Sequence, residues 1–171
     1  MKTIALNPRD PEEAERFSQR RFHWAGGGGL YVLEGSEGDV AIRNTPFGWE
    51  VWLIRRESEE LLSAELTLTE AQSFAENIIE ASGAALAWPD ARWRLRPVSA
   101  RTIEVLERLG LRIPETQGEA SDLLTFFFVS RALSPATPRQ QSFLRRHGIN
   151  PTGLLRRQAS RLIEQKLGEL N

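Results

Sequence analysis

The sequence predicts an α+β protein: a small antiparallel sheet with packed helices, followed by a tandem two-helix repeat of four short helices. Three observations carry that prediction. Residues 30–67 hold four short runs rich in β-branched, aromatic and leucine residues, separated by turn chemistry. Residues 69–83 keep apolar side chains at helical spacing. In the last third a pattern occurs twice. Pro97-Val98-Ser99-Ala100-Arg101 leads to Leu106, Gly110-Leu111, Ala120-Ser121 and Leu123-Leu124. Pro135-Ala136-Thr137-Pro138-Arg139 leads to Leu144, Gly148-Ile149, Ala159-Ser160 and Leu162-Ile163. The offset is 38 residues up to the glycine and 39 after it, so the copies differ by one residue in the linking turn. A repeat of this period is one supersecondary unit used twice, and it predicts that each copy buries the other's apolar face. The expected domains are therefore 1–96 and 97–171, the latter divided into copies 97–134 and 135–171.

Taken in order, Asp10-Pro11-Glu12-Glu13 places a capping aspartate, an N1 proline and a capping-box glutamate at the start of a helix running to about His23. Gly26 to Gly29 then run into Leu30-Tyr31-Val32-Leu33. A phosphate-cradling loop follows a strand and opens a helix. These glycines do the reverse and read as a flexible connector. Strands are expected at Leu30–Glu34, Asp39–Arg43, Trp49–Arg55 and Leu61–Thr67. The third has Trp49, Val51 and Leu53 on one face and Trp52 with Ile54 on the other, so it is either covered on both sides or covered on one and used for binding on the other. Thr69-Glu70-Ala71-Gln72 reads as a capping box. Ala71, Phe74, Ala75, Ile78 and Ile79 then form a stripe that should lie on the sheet, with Gly83 as the stop.

Arg92-Trp93-Arg94-Leu95-Arg96 alternates. As a strand it would put three arginines on one face, either as an edge guarded by charge or as a secondary basic stripe for phosphate or an acidic partner. Ser99 caps a helix from Ala100 to Leu109 that stops at Gly110. Ala120, Leu123, Leu124, Phe127 and Phe128 keep helical spacing. Leu123–Val129 also fits a strand, but the second copy argues for helix. Thr137-Pro138-Arg139-Gln140 starts the third helix, which stops at Gly148. The last helix carries Ala159, Leu162, Ile163, Leu167 and Leu170 on one side.

Composition narrows the chemistry. Without cysteine there are no disulfides, thiolate ligands or thiol nucleophiles. The segment Met1 to Asp10 lacks the apolar core of a secretion signal and no run is long enough to span a membrane, which predicts a soluble cytoplasmic protein. His23 and His147 stand in no metal-ligand spacing and read as structural. The carboxylate clusters lie in turns, and no serine has a local base. The expectation is a non-catalytic protein with no metal and no cofactor.

Charge is divided unevenly. Residues 1–88 carry 8 Lys and Arg against 15 Asp and Glu, while residues 135–171 carry 7 against 2. Only Lys2 and Lys166 of the 22 basic residues are lysine. Arg139, Arg145, Arg146, Arg156, Arg157 and Arg161 crowd the last two helices with few balancing acids, the composition of a phosphate-binding face. Arg92, Arg94 and Arg96 are the secondary candidates. The run Phe143-Leu144, Gly148-Ile149-Asn150-Pro151, Gly153 and Ala159 with Leu162-Ile163 resembles the small SAP-type DNA-binding module. It departs by one extra residue before the second apolar cluster, and by Leu154-Leu155 where the family places a basic residue. From Thr137 onward it looks still more like helical tails of phage and mobile-element proteins of DNA metabolism. The resemblance covers about 35 residues and implies a nucleic-acid partner, DNA before RNA. The alternative is an adaptor or inhibitor whose acidic N-terminal domain occupies a basic groove on nucleic-acid machinery.

Overall fold

A computed structural model describes residues 11–170. The fold is α+β, with one five-stranded antiparallel sheet and six α-helices among the described residues. The chain forms two compact units, Met1–Val129 and Ser130–Asn171, so the expected boundary at 96/97 falls inside the first unit.

Helix α1 spans Pro11–Ser18 and ends five residues before the expected His23. Its cap at Asp10 lies outside the described residues. The early stop lets Phe22 and Trp24 turn into the core, and lets Arg20 and Arg21 reach Glu76 and Glu80 at 2.6 and 2.8 Å. The glycine run is not a loose connector. Ala25–Gly27 is strand β1, paired with β2 (Leu30–Leu33) across Gly28-Gly29, whose φ values of +65° and +85° suit the primed turns that hairpins favour. Strands β3 (Asp39–Thr45), β4 (Gly48–Ile54) and β5 (Glu59–Leu66) complete a meander in the order β1-β2-β3-β4-β5.

Alternation decides the two faces. Tyr31, Leu33, Val40, Ile42, Trp49 and Val51 point into one core with Phe17, Phe22 and Trp24. Ala71, Ala75 and Ile79 of α2 (Leu68–Ser82) close that core from above. Phe74 of the expected stripe is exposed instead, and Gln72 is buried in its place. The cap sits one half-turn earlier than the sequence indicated. Thr67 accepts from the N–H of Glu70, and the Glu70 carboxylate accepts from the N–H of Thr67. Val32, Ala41, Trp52 and Ile54 on the opposite face are also buried, so β4 is covered on both sides and the binding alternative falls away. Trp52, at 8% exposure, donates its indole N–H to Glu50 at 2.8 Å and lies 5.4 Å from the Arg43 guanidinium.

The helices of the repeat are α3 (Ala100–Leu109), α4 (Gln117–Ala132), α5 (Pro138–Arg146) and α6 (Arg156–Leu170). The helical reading of Leu123–Val129 is the right one. Each copy is laid out alike. Pro97 bridges Thr116 and Pro135 bridges Leu155, pairs displaced by 38 and 39 residues. The N–H of Leu111 donates to the carbonyl of Leu106, as that of Ile149 does to Leu144, both at 2.9 Å. Each copy has a seam of its own. Leu106, Ala120 and Leu123 form one cluster with Val98, Leu111 and Leu124; Leu144, Ala159 and Ala136 form another with Ile149, Leu162 and Ile163.

Candidate functional site

In the second unit, Thr137 and Gln140 form a reciprocal capping box and Pro138 occupies the first helical turn of α5. The Gln140 amide also donates to the carbonyl of Arg156 at 3.1 Å and to Ser160 Oγ at 2.9 Å. Together with the bridge Pro135–Leu155, this starts α5 and α6 side by side, so the positive ends of two helix dipoles adjoin. Arg139 and Arg156 belong to those first turns, and both are exposed. Arg145 and Arg146 close α5, where Arg145 donates to Gln141 at 3.3 Å and Arg146 to the carbonyl of Ser142 at 3.4 Å. His147 follows as the cap, stacked on Phe143 at 4.2 Å, with Nδ1 2.8 Å from the Phe143 carbonyl.

Helical spacing sorts these side chains. Arg139 and Arg146 are seven apart and lie across α5 from the buried Leu144. Arg157 and Arg161, one turn apart, lie on the side of α6 turned away from Ala159 and Ile163. The arginines therefore do not converge on one patch. They form two outward pairs, with Arg156 at the shared N-terminal end and Arg145 at the far end of α5. Arg161 is exposed and Arg157 half-buried. Planar guanidinium forks in such positions are suited to bidentate contact with phosphate or carboxylate.

The expected stripe at 92, 94 and 96 is not a strand. Arg92–Leu95 is a 3₁₀ turn, so strict alternation is lost and Arg92 and Arg96 stay exposed while Arg94 is turned inward to 8% exposure. The Arg94 guanidinium donates to both carboxylate oxygens of Asp122 on α4, at 2.7 and 2.8 Å. Gly118, one turn before Asp122, permits the approach: a Cβ there would stand 2.8 Å from the Arg94 Cβ. An ion pair that is largely shielded from solvent, its members 28 residues apart in sequence, thus outweighs the local alternation.

Asp122 also receives His23, whose Nε2 lies 2.7 Å from Oδ2. Beside it, Ser121 Oγ donates to Glu34 Oε2 at 2.7 Å. Four separate stretches of the first unit therefore meet in one polar junction: His23, Glu34, Arg94, and α4 with Gly118, Ser121 and Asp122. Nothing in the sequence marks it, because its members share no local spacing. Burial pushes the Glu34 carboxyl up; the Ser121 hydroxyl opposes that, and the neighbouring Asp122 charge adds to it. Asp39 at the start of β3 is pushed up to about 6, chiefly by burial, against the hydrogen bond it accepts from the Gly35 N–H and with help from Glu34. The hydroxyl of Ser121 and the Nε2 of His23 are each engaged by a different carboxylate, so the serine–histidine relay of acyl transfer is not formed here.

A raised carboxyl pKa means that the folded state favours the protonated form. The resulting stability is complete below the ordinary carboxylate value and is lost as pH rises through the folded value. For Asp39 the window runs from 3.8 to about 6, a contribution of up to about 3 kcal/mol. Asp39→Asn keeps an acceptor for the Gly35 N–H, and is expected to be more stable than the parent chain at pH 8 with no advantage at pH 4. Urea midpoints at the two pH values check this, and equal midpoints at pH 8 would refute it. Glu34 works in the same direction, so some pH dependence remains in the variant.

No protein-family model, curated protein sequence or solved structure matches the chain. Among the described residues no helix is long and apolar enough to cross a membrane, and no three His, Cys, Asp or Glu side chains are grouped to hold a metal ion.

Proposed function

We propose that the protein is a non-catalytic nucleic-acid-binding protein that contacts the phosphate backbone of DNA, in preference to RNA, through α5 and α6. One observation carries the reading: Arg139, Arg145, Arg146, Arg156 and Arg161 are all exposed on two short packed helices. Residues 135–171 hold seven basic side chains and two acidic ones. A helix pair that needed only a solvated face would mix the signs. Backbone contacts of this kind position a protein without reading base sequence.

The adaptor reading has less support. Many acids of residues 1–88 already act within the fold: Glu76 with Arg20, Glu80 with Arg21, Glu50 with Arg43, and Glu70 as a cap.

Binding by about four arginines predicts that affinity for a labelled DNA oligonucleotide falls about 10²-fold between roughly 50 and 200 mM salt. Little dependence on base sequence is expected. Fluorescence anisotropy of the full chain over a salt series measures both. No binding at the lowest salt, or binding indifferent to salt, would overturn the reading.

A further inference from the structure

The first helices of the two copies share a layout and differ in charge. Helices α3 and α5 are equivalent at an offset of 38 residues: Ser99 and Thr137 cap them, and Leu106 and Leu144 are their buried seam residues. Arg101, Glu104, Glu107 and Arg108 therefore correspond to Arg139, Ser142, Arg145 and Arg146. At about 100° per residue, each set lies on the half of its helix turned away from the seam leucine. All of these side chains are exposed.

In the first copy the face is solvated, and its two arginines are balanced by two glutamates, the mixed signs of an ordinary surface. In the second copy a serine and an arginine stand in place of the glutamates, and the same face carries three positive charges and no negative one. No Asp or Glu occurs between Leu123 and Ile163. Among the described residues Arg139 makes no side-chain hydrogen bond. Arg145 and Arg146 bond to neutral acceptors one turn back in their own helix, the Gln141 amide oxygen and the Ser142 carbonyl. Those bonds orient the guanidinium groups and leave their charge uncompensated.

Charge without an apolar centre identifies the occupant. Protein interfaces bury aromatic and apolar side chains at the middle of the patch. On α5 Phe143 stands at the margin of the face, half-buried and stacked on His147, and the middle is guanidinium and hydroxyl. Arg139 and Arg146 are about 10 Å apart along the helix axis, about three phosphate steps of one strand. Ser142 lies between them and can donate to a phosphate oxygen. We infer that the outward face of α5, formed by Arg139, Ser142, Arg145 and Arg146, is the seat of the nucleic-acid phosphate backbone. The inference rests on the nucleic-acid reading above and selects α5 over α6.

The test uses the full chain, a labelled duplex DNA oligonucleotide and fluorescence anisotropy at low and moderate salt. Arg139→Ala with Arg146→Ala is expected to weaken binding about tenfold and to lower the salt slope by about two. Ser142→Glu with Arg145→Glu gives α5 the mixed signs of α3 and should weaken binding further. Arg101→Ala with Arg108→Ala, the same change in the first copy, should alter affinity less than about threefold, because charges outside the contact are screened. An unchanged circular dichroism melt separates loss of contact from loss of fold, and Ser142→Glu alone, at an exposed position, repeats the test with a single change. Loss confined to Arg156→Ala, with the α5 variants at parent affinity, would overturn this inference and leave the nucleic-acid reading standing. Equal losses from the α3 and α5 pairs would overturn it too, because the balanced face would then bind as well as the basic one. No binding by the parent chain sinks both. Polyglutamate binding as tight as DNA, with the same dependence on α5, would replace the phosphate backbone by an acidic polypeptide and overturn the inference as stated.

Discussion

Asp122→Ala is expected to lower the unfolding free energy by about 3 kcal/mol, the lower end of the range for removing one partner of a buried ion pair. The carboxylate serves two groups at once, Arg94 on both oxygens and His23 on one. Without it Arg94 stays in a site where it is 8% exposed, with the Gly118 carbonyl at 3.4 Å, the Trp93 ring at 5.1 Å and only the more distant charge of Glu34 to offset it. A buried cation without a hydrogen-bonded carboxylate is what makes such a deletion severe; the Coulomb attraction of the intact pair is largely offset by desolvation. Arg94→Met combined with Asp122→Ala should therefore recover most of the loss, since it removes the uncompensated charge and keeps the stem of the side chain. Urea unfolding of the full chain measures both variants. A loss under about 1 kcal/mol for Asp122→Ala, or a double variant worse than the single one, would show that the junction does not depend on this pair.

The junction also shows which parts of the molecule were legible in the sequence. Wherever a few adjacent residues decide the outcome, structure follows sequence closely: four of the five strands, the helix after them and all four helices of the repeat. Periodicity and caps are local signals, and tertiary packing had no reason to override them. Two threonines compete to cap α2, each with an acceptable residue three positions later. The fold chooses Thr67 because Gln72 is turned into the interior, where its side chain is not available to reach back to the Thr69 N–H. The alternation at 92–96 gave way because Arg94 finds its carboxylate on a helix that local spacing could not connect to it. The glycine run forms a hairpin and not a connector for a similar reason: its role depends on β2 having β3 to pair with. The arginines of the tail lie on the two helices that local spacing indicates. That they divide between two outward faces follows only once Leu144 and Ala159 are known to form the seam.

Leu106→Ala and Leu144→Ala are expected to cost about 3 kcal/mol each, within the 2–5 kcal/mol typical of leucines truncated in a packed interior. The argument is one of equivalence. Both side chains are fully buried, each with its carbonyl accepting the N–H that closes the turn after the helix. Leu106 packs with Ala120 and Leu123 as Leu144 packs with Ala159 and Leu162. Neighbours supplied in the same positions by two copies of one sequence pattern should leave cavities of similar size, so the two losses should agree within about 1 kcal/mol. Leu167→Ala, at a position 45% exposed on α6, should change stability by less than about 0.5 kcal/mol. The choice of probe matters, because all five tryptophans lie at or before Trp93, and their fluorescence reports on the first unit. Far-UV circular dichroism follows the helices of both copies, and is the measurement on which the two variants should be compared. A near-neutral Leu144→Ala beside a costly Leu106→Ala would mean that the second copy is held by something other than its own seam. The face on which Arg157 and Arg161 stand would then have to be reassigned, because the inward side of α6 defines it.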